Sequence, residues 1–390
     1  MSKPSYLPRF SHPSSLREFN PADLITLVRP HAEFLINHGL PVPDNPGELD
    51  IERLGVVLLQ PLADTPPDLV DALSHIHEMA TADGMETLTE EVRSRGLPIP
   101  LEDTLSPSDL ALRVWVHDPR LLRRKHAEHV VLKRSSFDAF LPRNGASFVR
   151  PSEIDAAVRS FEEDVSKWFI ERGRGRGVHV HPIVQDDEVR LVVRHGGPYR
   201  REGCLNENEP GTIQFRPLGF HFLVLDFDAW ELRVNCKTKG ETQLYREAIG
   251  ERFFGQRDFF DERSRKYTLE PLRTLGRRAL NCADIHGIRV ARLVELAMFL
   301  GGPFGRRRIE QADDVLLALE DAGERIPHNA LLTKGKLEIE FTDSRKPRIV
   351  SFTSINRARY TRGDDDCIVE QFLRRRGFIL GADRAAVACA

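Results

Sequence analysis

At 390 residues the chain exceeds the ~250–300 that one hydrophobic core usually serves, so two or three domains are expected. A hydrophobic fraction of 41% with 29% charged residues sits in the globular range and excludes a wholly disordered or fibrous chain. The formal net charge of -3 gives no global pull toward nucleic acid or a membrane surface, so any such preference has to come from local clusters.

Cys204, Cys236, Cys282, Cys367 and Cys389 are far apart, odd in number and form no C-x-x-C pair, which argues against a disulfide framework or a cysteine zinc site and fits a reducing, cytoplasmic setting. The first residues, Met1-Ser-Lys-Pro-Ser-Tyr-Leu-Pro8, lack the apolar core of a signal peptide. No run of about 18 apolar residues predicts a membrane span, and no internal repeat is evident.

Residues 1–140 read as helices joined by proline-rich turns. Asn20-Pro21 starts a helix carrying Leu24, Leu27 and Val28, which Pro30 divides because proline lacks the N–H and clashes with the preceding turn; Gly39 stops it. Thr65-Pro66-Pro67-Asp68 and Ser106-Pro107-Ser108-Asp109 repeat one start signal, a capping side chain followed by proline and an acid in the first turn. Asp118-Pro119 opens another helix, with Leu121 and Leu122. An all-helical domain over 1–140 follows.

Residues 134–150 lose periodicity and supply the boundary. A helix then runs from about Ser152 to Arg172 on Ile154, Val158, Phe161, Val165 and Phe169. Val178–Val184 and Glu188–Arg194 are β-branched runs around a polar turn, a hairpin signature. His221–Asp226 and Glu231–Cys236 form a second, followed by a helix after Thr238-Lys-Gly-Glu241. Strands are expected at Tyr267–Leu275 and Ile288–Leu300, a break at Gly301–Gly305, a helix over 310–322, a hairpin at Lys336–Phe341 and Arg348–Phe352, and a last helix from Asp365 to Arg376, with a loose tail after Gly381. Hairpins and helices in this order predict an α+β multidomain chain built on antiparallel strands, not a doubly wound parallel sheet. The expected units are 1–140, 150–300 and 301–380, the last either separate or continuous with the second.

Two basic segments flank the first hairpin: Arg172-Gly-Arg174-Gly-Arg176-Gly, and Arg194-His-Gly-Gly-Pro-Tyr199-Arg200-Arg201. A guanidinium pairs phosphate oxygens bidentately, glycines let backbone approach an anion, and Tyr199 suits base stacking. The same residues also suit a plain helix stop and an ordinary Gly-Pro turn. A hairpin would bring both segments to one open end. Arg306–Arg308, Arg357, Arg359, Arg362 and Arg374–Arg376 either extend a basic face or are neutralised by neighbours such as Glu310.

Among other chemistries, His179 and His181 share a strand face, with His195 or Cys204 as completing ligands, but no zinc motif accompanies them. Asp226, Asp228 and Glu231 with Lys237 resemble the strand–turn–strand layout of metal-dependent nucleases of the PD-(D/E)xK kind, which would take Mg²⁺ or Mn²⁺. The tripeptide Glu231-Leu232-Arg233 departs from that pattern, because an arginine stands where a lysine belongs. There is no P-loop, dinucleotide fingerprint, nucleophile elbow or kinase signature.

The layout, a helical front followed by a β-rich part with basic loops, resembles accessory proteins of bacterial defence or mobile-element loci; it transfers no residue. The expected function is a non-catalytic nucleic-acid-binding or adaptor protein using Arg172, Arg174, Arg176, Arg194, Tyr199, Arg200 and Arg201, with the helical domain contacting a protein partner and no cofactor. A metal-dependent nuclease at Asp226, Asp228, Glu231 and Lys237 is the first alternative; an assembly subunit that touches no nucleic acid is the second.

Overall fold

The computed structural model describes residues 10, 13–59, 65–102, 104–132, 136–143, 146, 150–185, 187–206, 209–342, 344, 346–360 and 366–380. Arg362, Asp365 and the tail after Gly381 lie outside them. The chain divides into two compact units: residues up to Val130 together with Glu202–Ile213, and Val131–Arg201 together with the residues from Gln214 on. Among the described residues no helix is long and apolar enough to cross a membrane.

The first unit carries α1 (Pro13–Leu16), α2 (Pro21–Val28), α3 (Ala32–Asn37), α4 (Ile51–Leu59), α5 (Pro67–Met79), α6 (Ala82–Arg95), α7 (Pro107–His117) and α8, which begins at Pro119 and ends at Leu132. Asn20 caps α2, its side chain accepting from the Ala22 N–H, and Pro30 sits in a 3₁₀ turn (Arg29–His31) that separates α2 from α3. Ser106 caps α7 by accepting from the Asp109 N–H at 3.0 Å, a bond worth about 1 kcal/mol. Asp109 is buried and accepts the Asn20 N–H, so the starts of α2 and α7 are tied together. At α5 the N-cap position falls on Pro66, one residue after Thr65. α7 packs against α2, α5 and α6, and Leu24, Val28, Leu69, Ile76, Leu110 and Val114 close the core.

The second unit is built on ten antiparallel strands in the order β2-β3-β6-β7-β1-β12-β11-β10-β8-β9. They are β1 (Ser136–Phe140), β2 (His179–Val184), β3 (Glu188–Gly196), β6 (Leu218–Asp226), β7 (Glu231–Asn235), β8 (Ile288–Gly301), β9 (Arg306–Gln311), β10 (Leu331–Phe341), β11 (Arg348–Thr353) and β12 (Arg357–Arg359). β4 (Arg200–Asn206) and β5 (Glu209–Phe215) pair as a separate ribbon between β3 and β6. The α+β class on antiparallel strands is therefore as expected.

The boundary is not. Residues 136–140 are not helical-domain chain or linker: β1 pairs with β7 on one side and β12 on the other, in the middle of the sheet. Tyr267–Leu275 is not a strand either, because Pro271 opens the short helix α11 (Glu270–Thr274), and the helix expected over 310–322 begins only at Val315 (α12, Val315–Asp321), after β9. Gly301–Gly305 is the turn between β8 and β9, which lie in the same sheet.

Helix α9 (Ile154–Glu171) and helix α10 (Lys239–Phe254) cover the β2-β3-β6-β7 half; Phe161, Phe169, Leu223, Leu225 and Tyr245 form its core. Thr238 and Glu241 build a full capping box at the start of α10. The other half packs on α11, α12 and α13 (Asp366–Arg375) through Leu293, Leu337, Phe352, Phe372 and Phe378.

Candidate nucleic-acid interface

The first hairpin forms as its sequence pattern demands, with His179 opposite Arg194 and Val184 opposite Val189. Three segments meet at its open end. α9 stops as Gly173 turns left-handed (φ 66) and the Arg174 N–H donates back to the Phe169 carbonyl at 2.9 Å. β3 leaves the sheet at Gly196, and the Gly197 N–H donates to the Pro217 carbonyl at 2.7 Å. A side chain on Gly196 is impossible without movement, since its Cβ would lie 2.4 Å from the Arg174 carbonyl oxygen. The third segment contributes Arg216, which donates to the Gly173 carbonyl and lays its guanidinium 4.3 Å over the ring of Tyr199. This stack joins the two arginine segments, and sequence reasoning did not single out Arg216.

The seven expected contact residues divide. Arg176, Arg194, Arg200 and Arg201 are exposed, and Tyr199 is 62% exposed. Arg172 is exposed and stacks on Trp168, 3.9 Å from the ring centroid. Arg174 turns inward: it pairs with the buried carboxylate of Glu241 and lies over Phe169. Arg174 therefore builds the site and is not free to meet a phosphate.

Behind this basic end lies a buried polar chain. His195 Nδ1 is 3.0 Å from the Gly196 carbonyl oxygen, His195 Nε2 is 3.2 Å from His221 Nε2, and His221 Nδ1 is 2.8 Å from the Tyr245 hydroxyl. A carbonyl can only accept, so His195 carries its proton on Nδ1 and accepts at Nε2 from His221, which in turn accepts from Tyr245. Both rings are neutral in this pattern. Burial is the main cause that lowers both pKa values, His221 to about 3, with the neighbouring His195 adding to the effect on His221. Burial opposes the charge on Glu241, but its neighbours, Arg174 and the Thr238 cap among them, outweigh it and keep its pKa below the ordinary carboxylate value. Gly219 is needed here as well, since its Cβ would press within 2.7 Å of the His195 ring.

Three of the four residues of the nuclease reading, Asp226, Asp228 and Glu231, lie elsewhere, at the other end of β6, whereas Lys237 follows β7 at the basic end, so the four do not come together. Asp226 accepts from Ala229 N–H at 2.8 Å and from Arg233 at 3.1 Å. Burial raises its pKa to about 6 despite Arg233. Glu231 is 1% exposed and pairs with Lys266 at 2.8 Å, and Lys266 also reaches Glu370 at 3.1 Å. Burial works against the Lys266 charge, yet Glu231 and Glu370 more than compensate and raise its pKa. Asp228 is exposed, and Lys237 is exposed on the loop after β7, where its backbone N–H meets Glu241. Two of the three carboxylates are thus committed to cations. Among the described residues no group of three His, Cys, Asp or Glu is arranged to hold a metal ion. His179 meets Glu162 at 3.1 Å.

The remaining arginines are mostly neutralised. Arg308 pairs with Glu310 and Glu324, Arg357 forks onto Asp138, Arg374 pairs with Glu370, and Arg376 with Asp284. Arg306, Arg307 and Arg359 are exposed.

No protein-family model matches the chain, and no curated protein is significantly similar to it.

Proposed function

We propose that this protein binds the sugar–phosphate backbone of a nucleic acid, without cleaving it, at the open end of the β2–β3 hairpin. The supporting observation is that the segments carrying the exposed Arg172, Arg176, Arg194, Arg200 and Arg201 meet at the open end of the hairpin and are joined by the Arg216–Tyr199 stack, on a chain that is acidic overall. Exposed guanidinium groups on glycine-containing segments suit bidentate pairing with phosphate oxygens, and the exposed Tyr199 ring offers a face to an unstacked base. Contacts of this kind position a nucleic acid without reading its sequence, so binding tolerates changes of base composition.

The experiment is fluorescence anisotropy of labelled single- and double-stranded DNA and RNA at several salt concentrations. The five-fold variant Arg172→Gln, Arg176→Gln, Arg194→Gln, Arg200→Gln, Arg201→Gln loses binding while keeping its fold; unchanged affinity would end the proposal. In the same samples plasmid DNA with Mg²⁺ or Mn²⁺ stays intact. Metal-dependent cutting that disappears in Glu231→Gln would favour the nuclease reading.

A further inference from the structure

A cleft of about 1010 Å³ opens at the far end of β6 from the arginines, lined by Asp228, Trp230, Glu231, Arg263, Arg265 and Lys266 among others. Nine residues of strand separate the two places, about 26 Å at ~3.3 Å per residue.

Three observations single this cleft out. Trp230, the last residue of the β6–β7 turn, has φ 54, and it is the one non-glycine residue with positive φ among the described residues. Glycine normally fills such a turn position, because a bulky side chain is strained there. Trp230 remains 40% exposed and lines the cleft. Backbone strain of this kind clusters at active sites and ligand clamps.

The second observation is charge. Most ions of the wall are satisfied internally: Glu247 by Arg257, Glu262 by Arg246, Asp258 by Arg143, and Asp261 by the Arg263 N–H. The guanidinium groups of Arg263 and Arg265 are exposed and form no ion pair among the described residues. The third is the floor, where the Lys266–Glu231 pair is held rigid by Glu370 and Arg233. The exposed carboxylate of Asp228 stands at the rim.

We infer that this cleft is a binding site for a mononucleotide: the base stacks on Trp230, the phosphates meet Arg263 and Arg265, and Asp228 accepts from the ribose hydroxyls. An aromatic plate with unpaired guanidinium groups is what a planar, phosphorylated ligand needs, and a bare anion would leave Trp230 without a role. The site does not depend on the hairpin arginines, so the five-fold arginine variant retains it.

Calorimetry on the full chain with ADP, GDP, adenosine and pyrophosphate tests the inference. The diphosphates bind in the micromolar to millimolar range and quench tryptophan fluorescence, adenosine binds more weakly, and pyrophosphate gives no quench. Arg263→Gln with Arg265→Gln weakens ADP by at least about tenfold, the size of one charge-assisted hydrogen bond, and leaves adenosine unchanged. The variant that separates function from folding is Trp230→Gly. Glycine suits φ 54, so this variant keeps its backbone turn and its fold, checked by an unchanged circular dichroism spectrum, while losing the ADP heat and quench. Three results would overturn the inference: no heat from either diphosphate at millimolar concentration, pyrophosphate binding as tightly as ADP, or ADP binding unchanged in Trp230→Gly.

Discussion

His195 and His221 face each other Nε2 to Nε2 at 3.2 Å, two neutral imidazoles on adjacent strands that fix the end of β3 from which the arginine segment departs. An extra proton would charge a buried ring, and would either set two N–H groups against each other between the Nε2 atoms or turn the Tyr245 hydroxyl from donor to acceptor at His221 Nδ1. The basic end of the hairpin thus rests on a scaffold that acid disrupts.

This gives a pH dependence with a definite sign. In the unfolded chain a histidine takes up a proton below about pH 6.5, whereas folded His221, lowered to about 3, refuses it. Stability is complete above the unfolded value and falls as pH drops; at pH 5 the loss from His221 is ~2 kcal/mol. Asp226, raised to about 6, acts in the opposite direction between that value and the ordinary carboxylate range, since the folded state takes its proton first. Urea denaturation at pH 7.5 and pH 5 should therefore show wild type losing ~2 kcal/mol more than His221→Gln, which keeps hydrogen-bonding groups but does not titrate. Parallel losses would contradict the neutral pair.

Arg174 and Arg176 stand two residues apart in the sequence and should behave as opposites. Arg174→Gln leaves the buried Glu241 carboxylate without its main partner and should destabilise by about 3 kcal/mol. Arg176→Gln, on an exposed loop, should change stability by less than about 0.5 kcal/mol. Denaturation midpoints of the two variants check this.

The close approach of the two arginine segments is testable through glycine. Gly196→Ala forces its new methyl against the Arg174 carbonyl and should both destabilise the second unit and weaken nucleic-acid binding. Gly177→Ala, with nothing within 4 Å, is the control and should leave both unchanged. Equal behaviour of the two in melting and anisotropy would argue against the geometry.

Lys266→Met leaves the buried Glu231 with only the longer contact to Arg233 and Glu370 with Arg374 and Tyr360, and should cost about 3 kcal/mol. Adding Glu231→Gln should recover part of that loss, because the worst buried charge is then removed. A single variant that melts like wild type would refute the structural role assigned to the pair.

What could be read from the sequence was local. The hairpins around 185–187 and 227–230 announced themselves through β-branched runs flanking polar turns, and their registers follow that pattern. β1 could not be read this way: its five residues pair with strands about 95 and 220 positions away, and nothing near Phe137 or Ala139 signals that. At Tyr267–Leu275 the apolar content suggested a strand, but Leu269 and Leu272 are three apart and Pro271 suits a first helical turn. At the site, the convergence of two arginine segments was legible from the hairpin alone. The inward turn of Arg174 was not, because Glu241 lies 67 residues further on, and neither was the stack of Arg216 on Tyr199.

The measurement that bears most directly on the backbone-binding account is the salt dependence of nucleic-acid affinity for wild type and the five-fold arginine variant. Each lost phosphate contact should flatten the slope of log K against log salt by about 0.9 on duplex DNA or about 0.7 on a single strand. The account predicts a steep wild-type slope and a nearly flat one in the variant. Equal slopes at equal affinity would show that these guanidinium groups do not meet phosphate.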